Sequence, residues 1–134
     1  MRILRARASD RVTHQIDQPG KGGVAGKAPG VTLTHADANS APSAPDVLLL
    51  AVKPQQMKEA VAPLVDKLGN ALVISIAAGL DMAALSRWLG GHRTIVRCMP
   101  NTPALIGAGI TGLFADASVS AAGRAAAEQV LAAV

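Results

Sequence analysis

Aromatic residues are almost absent from this 134-residue sequence, which has one tryptophan, one phenylalanine and no tyrosine. Because half of the residues are nevertheless hydrophobic, the core must be aliphatic, and such a core suits a buried parallel sheet covered by helices. The single cysteine, Cys98, excludes an internal disulfide and fits a reducing compartment. No apolar run approaches the roughly 20 residues of a membrane span, and the first residues lack the apolar stretch of a secretory signal. We therefore expect one soluble, cytoplasmic domain.

The positive charge is concentrated near the N-terminus. Residues 1–30 carry six basic and two acidic side chains, whereas the rest of the chain is balanced. A basic arm can contact nucleic acid, but this one has no aromatic side chain on which bases could stack. Residues 17–30 also contain five glycines and two prolines, which disfavour a regular helix or strand. We interpret residues 1–30 as a poorly defined, basic, Gly/Pro-rich segment, with nucleic-acid binding as an alternative.

Two glycine-rich stretches imitate phosphate-binding motifs. GAGITG, residues 107–112, matches the glycine spacing of a dinucleotide pyrophosphate loop, and GKGGVAGKA, residues 20–28, is similar to a nucleotide phosphate loop. A pyrophosphate loop has to follow a strand and open a helix, but turn residues precede Gly107. In the second stretch, Ala28 stands where a metal-binding serine or threonine is needed. We expect a strand-and-turn feature at the first stretch and a linker at the second.

From residue 31 onward, apolar runs alternate with amphipathic segments. Strands are predicted at residues 31–34, 46–52, 71–76 and 94–99. Helices are predicted from Pro54 to a stop at Gly69, from an N-cap at Asp81 to a stop at Gly90, and from about Ser120 onward. This alternation predicts an α/β fold with a parallel sheet.

The predicted strands end in small or proline-rich turns, AVKP, IAAG and RCMPNTP. In parallel α/β sheets, ligands bind beyond the carboxyl ends of the strands. Short connections between strands and helices also favour such residues, so spacing alone leaves two readings open. The turns either serve only packing or let backbone amides approach a flat, anionic ligand.

These same segments carry a resemblance. DVLLLAVKPQ, ISIAAG and above all VRCMPNTPALIGAGIT resemble the pyrroline-5-carboxylate reductases over residues 46–134. The resemblance is fragmentary at residues 7–11 and 31–39. It implies a partial dinucleotide-binding domain over residues 31–134, with an incomplete Rossmann-like, doubly wound parallel sheet. It also implies NADPH as cofactor (NADH being possible) and reduction of 1-pyrroline-5-carboxylate to L-proline, the last step of proline biosynthesis.

The chain departs from this family's pattern in two places. The glycine-rich first turn has no counterpart in residues 1–30, and the helical C-terminal domain, which completes the active site in the family, has none either. The chain therefore resembles a fragment, and we expect no reductase activity from it alone. The full-length protein is expected to form a homo-oligomer. The alternatives are another NAD(P)-dependent dehydrogenase or imine reductase on this scaffold, or a non-catalytic nucleotide- or nucleic-acid-binding module.

The resemblance also implies cofactor contacts. Residues near the adenosine ribose and a 2′-phosphate would be Ser9, Arg11 and Asn39. The turn against the nucleotide would be formed by Ala51, Val52, Lys53 and Pro54, with Lys53 adding positive charge near the phosphates. The turn at the nicotinamide end would be formed by Ile76, Ala77 and Ala78.

The last predicted site residues are Asn101 and Thr102, which would present polar groups at the crevice on the substrate side, Asn101 also to the cofactor. Both are equally suited to local turn capping. No catalytic proton donor can be assigned. The three histidines are isolated and Cys98 has no histidine neighbour, so we expect no metal site and a buried, structural thiol.

Overall fold

The computed structural model describes residues 45–101 and 110–131 in full, and the backbone of three short strands before them. The strands are β1 Arg2–Arg5, β2 Gln15–Ile16, β3 Thr34–His35, β4 Val47–Leu50, β5 Leu72–Ser75, β6 Ile95–Pro100 and β7 Ile110–Ala115. The α-helices are α1 Met57–Val61, α2 Met82–Trp88 and α3 Ala121–Leu131. Two 3₁₀ segments, Pro54–Gln56 and Ala62–Lys67, flank α1.

The strands form one sheet in the order β1-β7-β6-β5-β4-β2-β3. Strands β2 to β6 run parallel; the alternation of apolar and amphipathic segments predicted this for β3 to β6, but the sequence predicted no strand at residues 15–16. Strand β7 is antiparallel to β6, and β1 is antiparallel to β7, which the sequence did not predict. Residues 101–109 are too few for the crossover of about a dozen residues that a parallel pair needs, so β7 returns antiparallel beside β6.

The flank of β4 opposite β5 is occupied by β2. Gln15 pairs with Leu49 and Ile16 with Leu50, in parallel register. Both β1 and β2 therefore lie within the segment that composition alone left undefined. The glycine- and proline-rich residues 17–30 are outside the described residues, as are residues 31–33 of the predicted first strand.

The sheet separates two apolar layers. In β4, Leu48 and Leu50 face the layer that contains α1 and α2, whereas Val47 and Leu49 face the layer that contains α3. Strands β5 and β6 follow the same alternation. Because both faces of these central strands are covered, their sequences are nearly continuous aliphatic runs. Helices on both faces confirm the predicted α/β class.

The helical segment after β4 buries one apolar face but departs from regular α-helix. Met57, Val61, Leu64 and Leu68 are all buried in the layer beneath it. After Val61 the chain tightens into the 3₁₀ segment Ala62–Lys67. Pro63 explains the change, because proline cannot donate the helical hydrogen bond and its ring displaces the preceding turn. Gly69, with φ of 53°, ends the segment as predicted.

Helix α2 begins and ends as predicted from its capping residues. The Asp81 carboxylate accepts a hydrogen bond from the Ala84 amide at 2.6 Å, which satisfies one of the free N–H groups of the first turn. Leu85 and Leu89 are buried. Gly90 then has φ of 67°, a conformation that other residues adopt with strain.

Candidate functional site

Three chain segments meet at the carboxyl edge of the parallel strands. Leu50 and Ser75 are in register, and the Ile76 amide donates to the Leu50 carbonyl at 3.2 Å. Ser75 is in turn in register with Arg97 of β6. The residues after β4 and β5 and the end of β6 therefore share one edge, which is the arrangement the sequence predicted for AVKP, IAAG and the described part of MPNTP.

The turn after β4 is anchored by one side chain and exposes the next. Ala51 is half-buried, and Val52 is buried in the layer of α1 and α2. Lys53 is exposed and extended, with φ of −60° and ψ of 141°, and its carbonyl accepts from the Gln56 amide at 3.0 Å. Pro54 opens the 3₁₀ segment. The turn thus fixes the backbone at the edge and leaves one ammonium group directed to solvent.

The turn after β5 has a smooth outer surface. Ser75 is buried, and its hydroxyl accepts from the amide of buried Ala77 at 3.3 Å. Ile76 is half-buried against the α3 layer. Ala78 is exposed, and Gly79 has φ of 73° with no atom of the described residues within 4 Å of the place where a Cβ would lie. As far as residues 45–101 and 110–131 are concerned, a flat group can therefore approach this turn without meeting a bulky side chain.

At the end of β6, Asn101 closes the connection to β7. Its side-chain oxygen Oδ1 accepts from the Ile110 amide at 2.8 Å, and Pro100 pairs with Thr111 in the antiparallel ladder. This bond spans nine residues and joins the two ends of the connection, so it differs from the local turn capping considered for Asn101. Ile110–Ala115 is a strand, which confirms that the end of GAGITG is a strand feature and not a pyrophosphate loop.

Cys98 is buried one position beyond Arg97. Its Sγ donates to the Ser75 carbonyl at 3.4 Å. Burial raises the pKa of the thiol to about 12, and the nearby Arg97 charge lowers it only partly. The group is therefore a neutral thiol near pH 7 and a poor nucleophile, since the thiolate is the reactive form. This confirms the prediction of a structural thiol.

Arg97 is a feature that the sequence-based site did not include. It lies in register between Ser75 of β5 and Phe114 of β7, on the central part of the sheet. Its Nε is buried and has no hydrogen-bond partner among the described residues. The available signal was a lone cation within the apolar run TIVRCM.

Several predicted site residues cannot be located. Ser9, Arg11, Asn39 and Thr102 lie outside the described residues, so their roles stay predictions. His92 has Nε2 2.8 Å from the Ala71 carbonyl oxygen, which gives it a structural hydrogen bond. Among residues 45–101 and 110–131, no three His, Cys, Asp or Glu side chains group closely enough to hold a metal ion. No helix in the described part is long and apolar enough to cross a membrane.

Comparison with known protein families gives a match to more than half of the chain. Residues 3–79 match the family described as NADP oxidoreductase, coenzyme F420-dependent. The chain belongs to this family.

Relatives with assigned names are pyrroline-5-carboxylate reductases. The chain is 52% identical over 92 residues to the one from Pseudomonas aeruginosa, an alignment that covers 66% of this chain and 33% of the relative. It is 48% identical over 91 residues to the one from Haemophilus influenzae, again covering 66% of this chain and 33% of the relative. The chain thus spans about a third of the length of these curated relatives. The resemblance expected from the MPNTP segment is confirmed.

Solved structures agree with the fold. A pyrroline-5-carboxylate reductase from Coxiella burnetii is 41% identical, with a TM-score of 0.70 over 75% of this chain and 38% of that protein. A pyrroline carboxylate reductase from Plasmodium falciparum, solved with NADP bound, is 22% identical, with a TM-score of 0.71 over 88% of this chain and 43% of that protein. The second shares the fold. Together they confirm the Rossmann-like class.

Proposed function

We propose that this chain provides the cofactor-binding part of a pyrroline-5-carboxylate reductase, which uses NADPH to reduce the C=N bond of 1-pyrroline-5-carboxylate to L-proline. The observation that carries the proposal is the shared edge of residues 51–54, 76–79 and 100–101, fixed by the Leu50–Ser75 register. The 52% identity to the Pseudomonas aeruginosa reductase supports the choice of substrate.

In this proposal, the first turn binds the nucleotide phosphates. Lys53 is an exposed ammonium at the edge, and anions are favoured near such a group. Val52 is buried and Pro54 has a fixed φ, so both hold the backbone of Ala51 and Lys53 in position. The turn is therefore rigid before the cofactor arrives, which reduces the entropy lost on binding.

The second turn receives the nicotinamide end of the cofactor. Ala78 and Gly79 present little side-chain bulk, and the hydrogen bond from the Ala77 amide to Ser75 fixes the turn below them. Ile76 supports the turn from the α3 layer. Because Oδ1 of Asn101 is engaged by Ile110, only the amide nitrogen of that side chain is proposed to donate to a ligand.

The reaction itself needs a hydride and a proton. NADPH supplies the hydride to the imine carbon, and the imine nitrogen is protonated, which leaves the secondary amine of proline. The neutral, buried thiol of Cys98 is unsuited to deliver that proton. We propose that the 134-residue chain binds NADPH without turning over substrate, and that the remaining length of the relatives supplies the proton donor and the substrate carboxylate site. A cytoplasmic homo-oligomer belongs to the same proposal.

The ribose end of the cofactor site is proposed from the resemblance alone. Ser9 and Arg11 would contact a 2′-phosphate, with Asn39 beside the adenosine ribose. A guanidinium makes bidentate, charge-assisted contacts to phosphate oxygens, so this pair favours NADPH over NADH. Arg11→Gln is expected to narrow the difference in affinity between the two nucleotides.

The test is a calorimetric titration of the chain with NADPH and NADH, comparing Lys53→Gln with Lys58→Gln. We expect Lys53→Gln to weaken NADPH binding about tenfold at low salt, since a hydrogen bond to a charged group contributes roughly 1.5 kcal/mol. Lys58 is also exposed but lies on α1, outside the turn at residues 51–54, so its variant should bind normally. Failure of the wild-type chain to bind either nucleotide would contradict the proposal. In parallel, loss of NADPH absorbance with added 1-pyrroline-5-carboxylate would contradict the predicted inactivity.

A further inference from the structure

A second concave surface lies between two helical segments on one face of the sheet. It is a cleft of about 460 Å³ between the α1 segment and α2. Its lining residues are Lys58, Ala62, Val65, Arg87 and Trp88. None of them belongs to the turns at residues 51–54, 76–79 or 100–101. The volume falls within the roughly 300–1,000 Å³ of small-molecule sites.

The local sequence explains why the cleft forms. Lys58, Ala62 and Val65 are spaced by four and three residues, so a helical segment directs them to one side. Helix α2 ends at Trp88, and the chain then turns at Gly90. A Cβ at Gly90 would lie 2.6 Å from Cγ1 of Val65, so the two segments approach closely only because this residue is glycine.

The charges that line the cleft have one sign. Lys58 and Arg87 are both exposed, and no acidic residue from the described part of the chain is in the lining. Within residues 45–101 and 110–131, neither cation has a hydrogen bond or ion pair through its side chain, in contrast to Arg93, which pairs with Asp116 at 3.6 Å. Two unpaired cations on one concave surface favour an anion.

The remaining lining is apolar and partly aromatic. Trp88 is half-buried and packs against the layer of α1 and α2, while Ala62 and Val65 add aliphatic surface. An aromatic side chain beside aliphatic groups favours a planar ring as ligand, because rings stack or pack edge to face. Guanidinium and ammonium groups beside that surface match a carboxylate, to which arginine can donate two parallel hydrogen bonds.

We propose that this cleft binds a small aromatic carboxylate, with the ring against Trp88 and Val65 and the carboxylate between Arg87 and Lys58. The site is separate from the proposed NADPH edge and does not depend on the proposed function.

The chain contains its own probe for this site. Trp88 is the only tryptophan and there is no tyrosine. Intrinsic fluorescence and the single indole N–H resonance in an NMR spectrum therefore report on this cleft alone. We would titrate the full chain with benzoate, with its neutral isostere benzamide, and with acetate. With benzoate, we expect a saturable change in the fluorescence of Trp88 and in the chemical shift of its indole N–H. Benzamide lacks the negative charge and acetate lacks the ring, so each should bind at least about tenfold more weakly than benzoate.

Matched variants distinguish binding in this cleft from nonspecific electrostatic attraction to the protein. Arg87→Gln and Lys58→Gln should each weaken benzoate binding at least about threefold, whereas Lys53→Gln should not change it. Conversely, Arg87→Gln should leave NADPH affinity unchanged. Circular dichroism and the thermal midpoint establish that each variant is folded. The salt dependence of benzoate binding to the wild type tests the contribution of charge without any substitution. The absence of a saturable response to benzoate, equal binding of benzamide, or an equal loss in Lys53→Gln would overturn the proposal.

Discussion

Leu50 and Ser75 lie opposite each other in neighbouring parallel strands, and each is the last residue of its strand. Two separate turns consequently leave the sheet at the same level. The hydrogen bond from Ile76 to Leu50 continues the ladder one step beyond Ser75. The proposed cofactor edge is therefore set by backbone pairing within the sheet and does not require contacts between the turns.

Enlarging Ala78 should obstruct that edge. Ala78 is exposed, so Ala78→Leu is expected to change the free energy of unfolding by no more than about 0.5 kcal/mol. If the nicotinamide lies against this turn, NADPH affinity should fall at least about tenfold, equivalent to roughly 1.4 kcal/mol. Calorimetric titration measures this, with Ala83→Leu, an equally exposed position on α2, as the control. Equal affinities for the two variants would remove residue 78 from the site.

Asn101 should contribute to stability through its side-chain oxygen. Asn101→Ala removes the acceptor of the Ile110 amide, and a neutral hydrogen bond of this kind contributes about 0.5–1.5 kcal/mol. Urea unfolding should show a loss in that range, whereas Asn101→Asp, which keeps an acceptor oxygen, should lose less. A ligand role through the amide nitrogen would appear as weaker NADPH binding in both variants, because neither retains that group.

The two glycines after α2 should differ in their tolerance of alanine. Both have positive φ, 67° at Gly90 and 88° at Gly91, so alanine costs about 1–2 kcal/mol of backbone strain at each position. At Gly90 the added Cβ would also lie 2.6 Å from Val65 Cγ1, whereas at Gly91 it meets no atom of the described part of the chain within 4 Å. Thermal unfolding should therefore show the larger loss for Gly90→Ala.

A second substitution tests the cause of that difference. Val65→Ala removes the clashing methyl group, so the Gly90→Ala penalty should be smaller when measured in a Val65→Ala background. An unchanged penalty would mean that strain at φ of 67° accounts for the whole effect.

Stability should fall in alkaline solution because of Cys98. Its pKa is raised by burial from 9.0 to about 12, so the folded state holds the proton more tightly than the unfolded state does. The resulting stabilisation is complete below pH 9 and is lost as the pH rises towards 12, by up to about 1.4 kcal/mol per pH unit. Because lysines titrate in the same range, the measurement is the difference in unfolding free energy between wild type and Cys98→Ala at pH values from about 8 to 11. A difference independent of pH would contradict the burial of the thiol.

Local features of the fold could be predicted from the sequence, and non-local pairings could not. The apolar runs of β4 and β5 and the Asp81 cap each depend on residues close together in the chain, so their patterns were sufficient. The antiparallel pairing of β1 with β7 joins Arg2 to Leu113, and no short window contains both partners. The 3₁₀ segment at Ala62–Lys67 was missed although Pro63 marked it, because the apolar spacing continued through it.

The same difference between local and non-local features applies to the candidate site. The small turns after β4 and β5 were predicted because strand ends in a parallel sheet must share an edge. The position of Arg97 between Ser75 and Phe114 depended on the register of three strands, and a lone arginine in an apolar run gave little indication of it. For Asn101, the sequence left two roles open, a ligand contact or local turn capping, and the bond to the Ile110 amide, nine residues away in the chain, was not among them.

The pairing of Pro100 with Thr111 has a consequence for how specificity can evolve. The ladder holds the ends of β6 and β7 together, so the backbone at this edge does not depend on exposed side chains such as those of Lys53 and Ala78. Selection can thus change those side chains, and with them the ligand preference, while the scaffold beneath them is inherited intact.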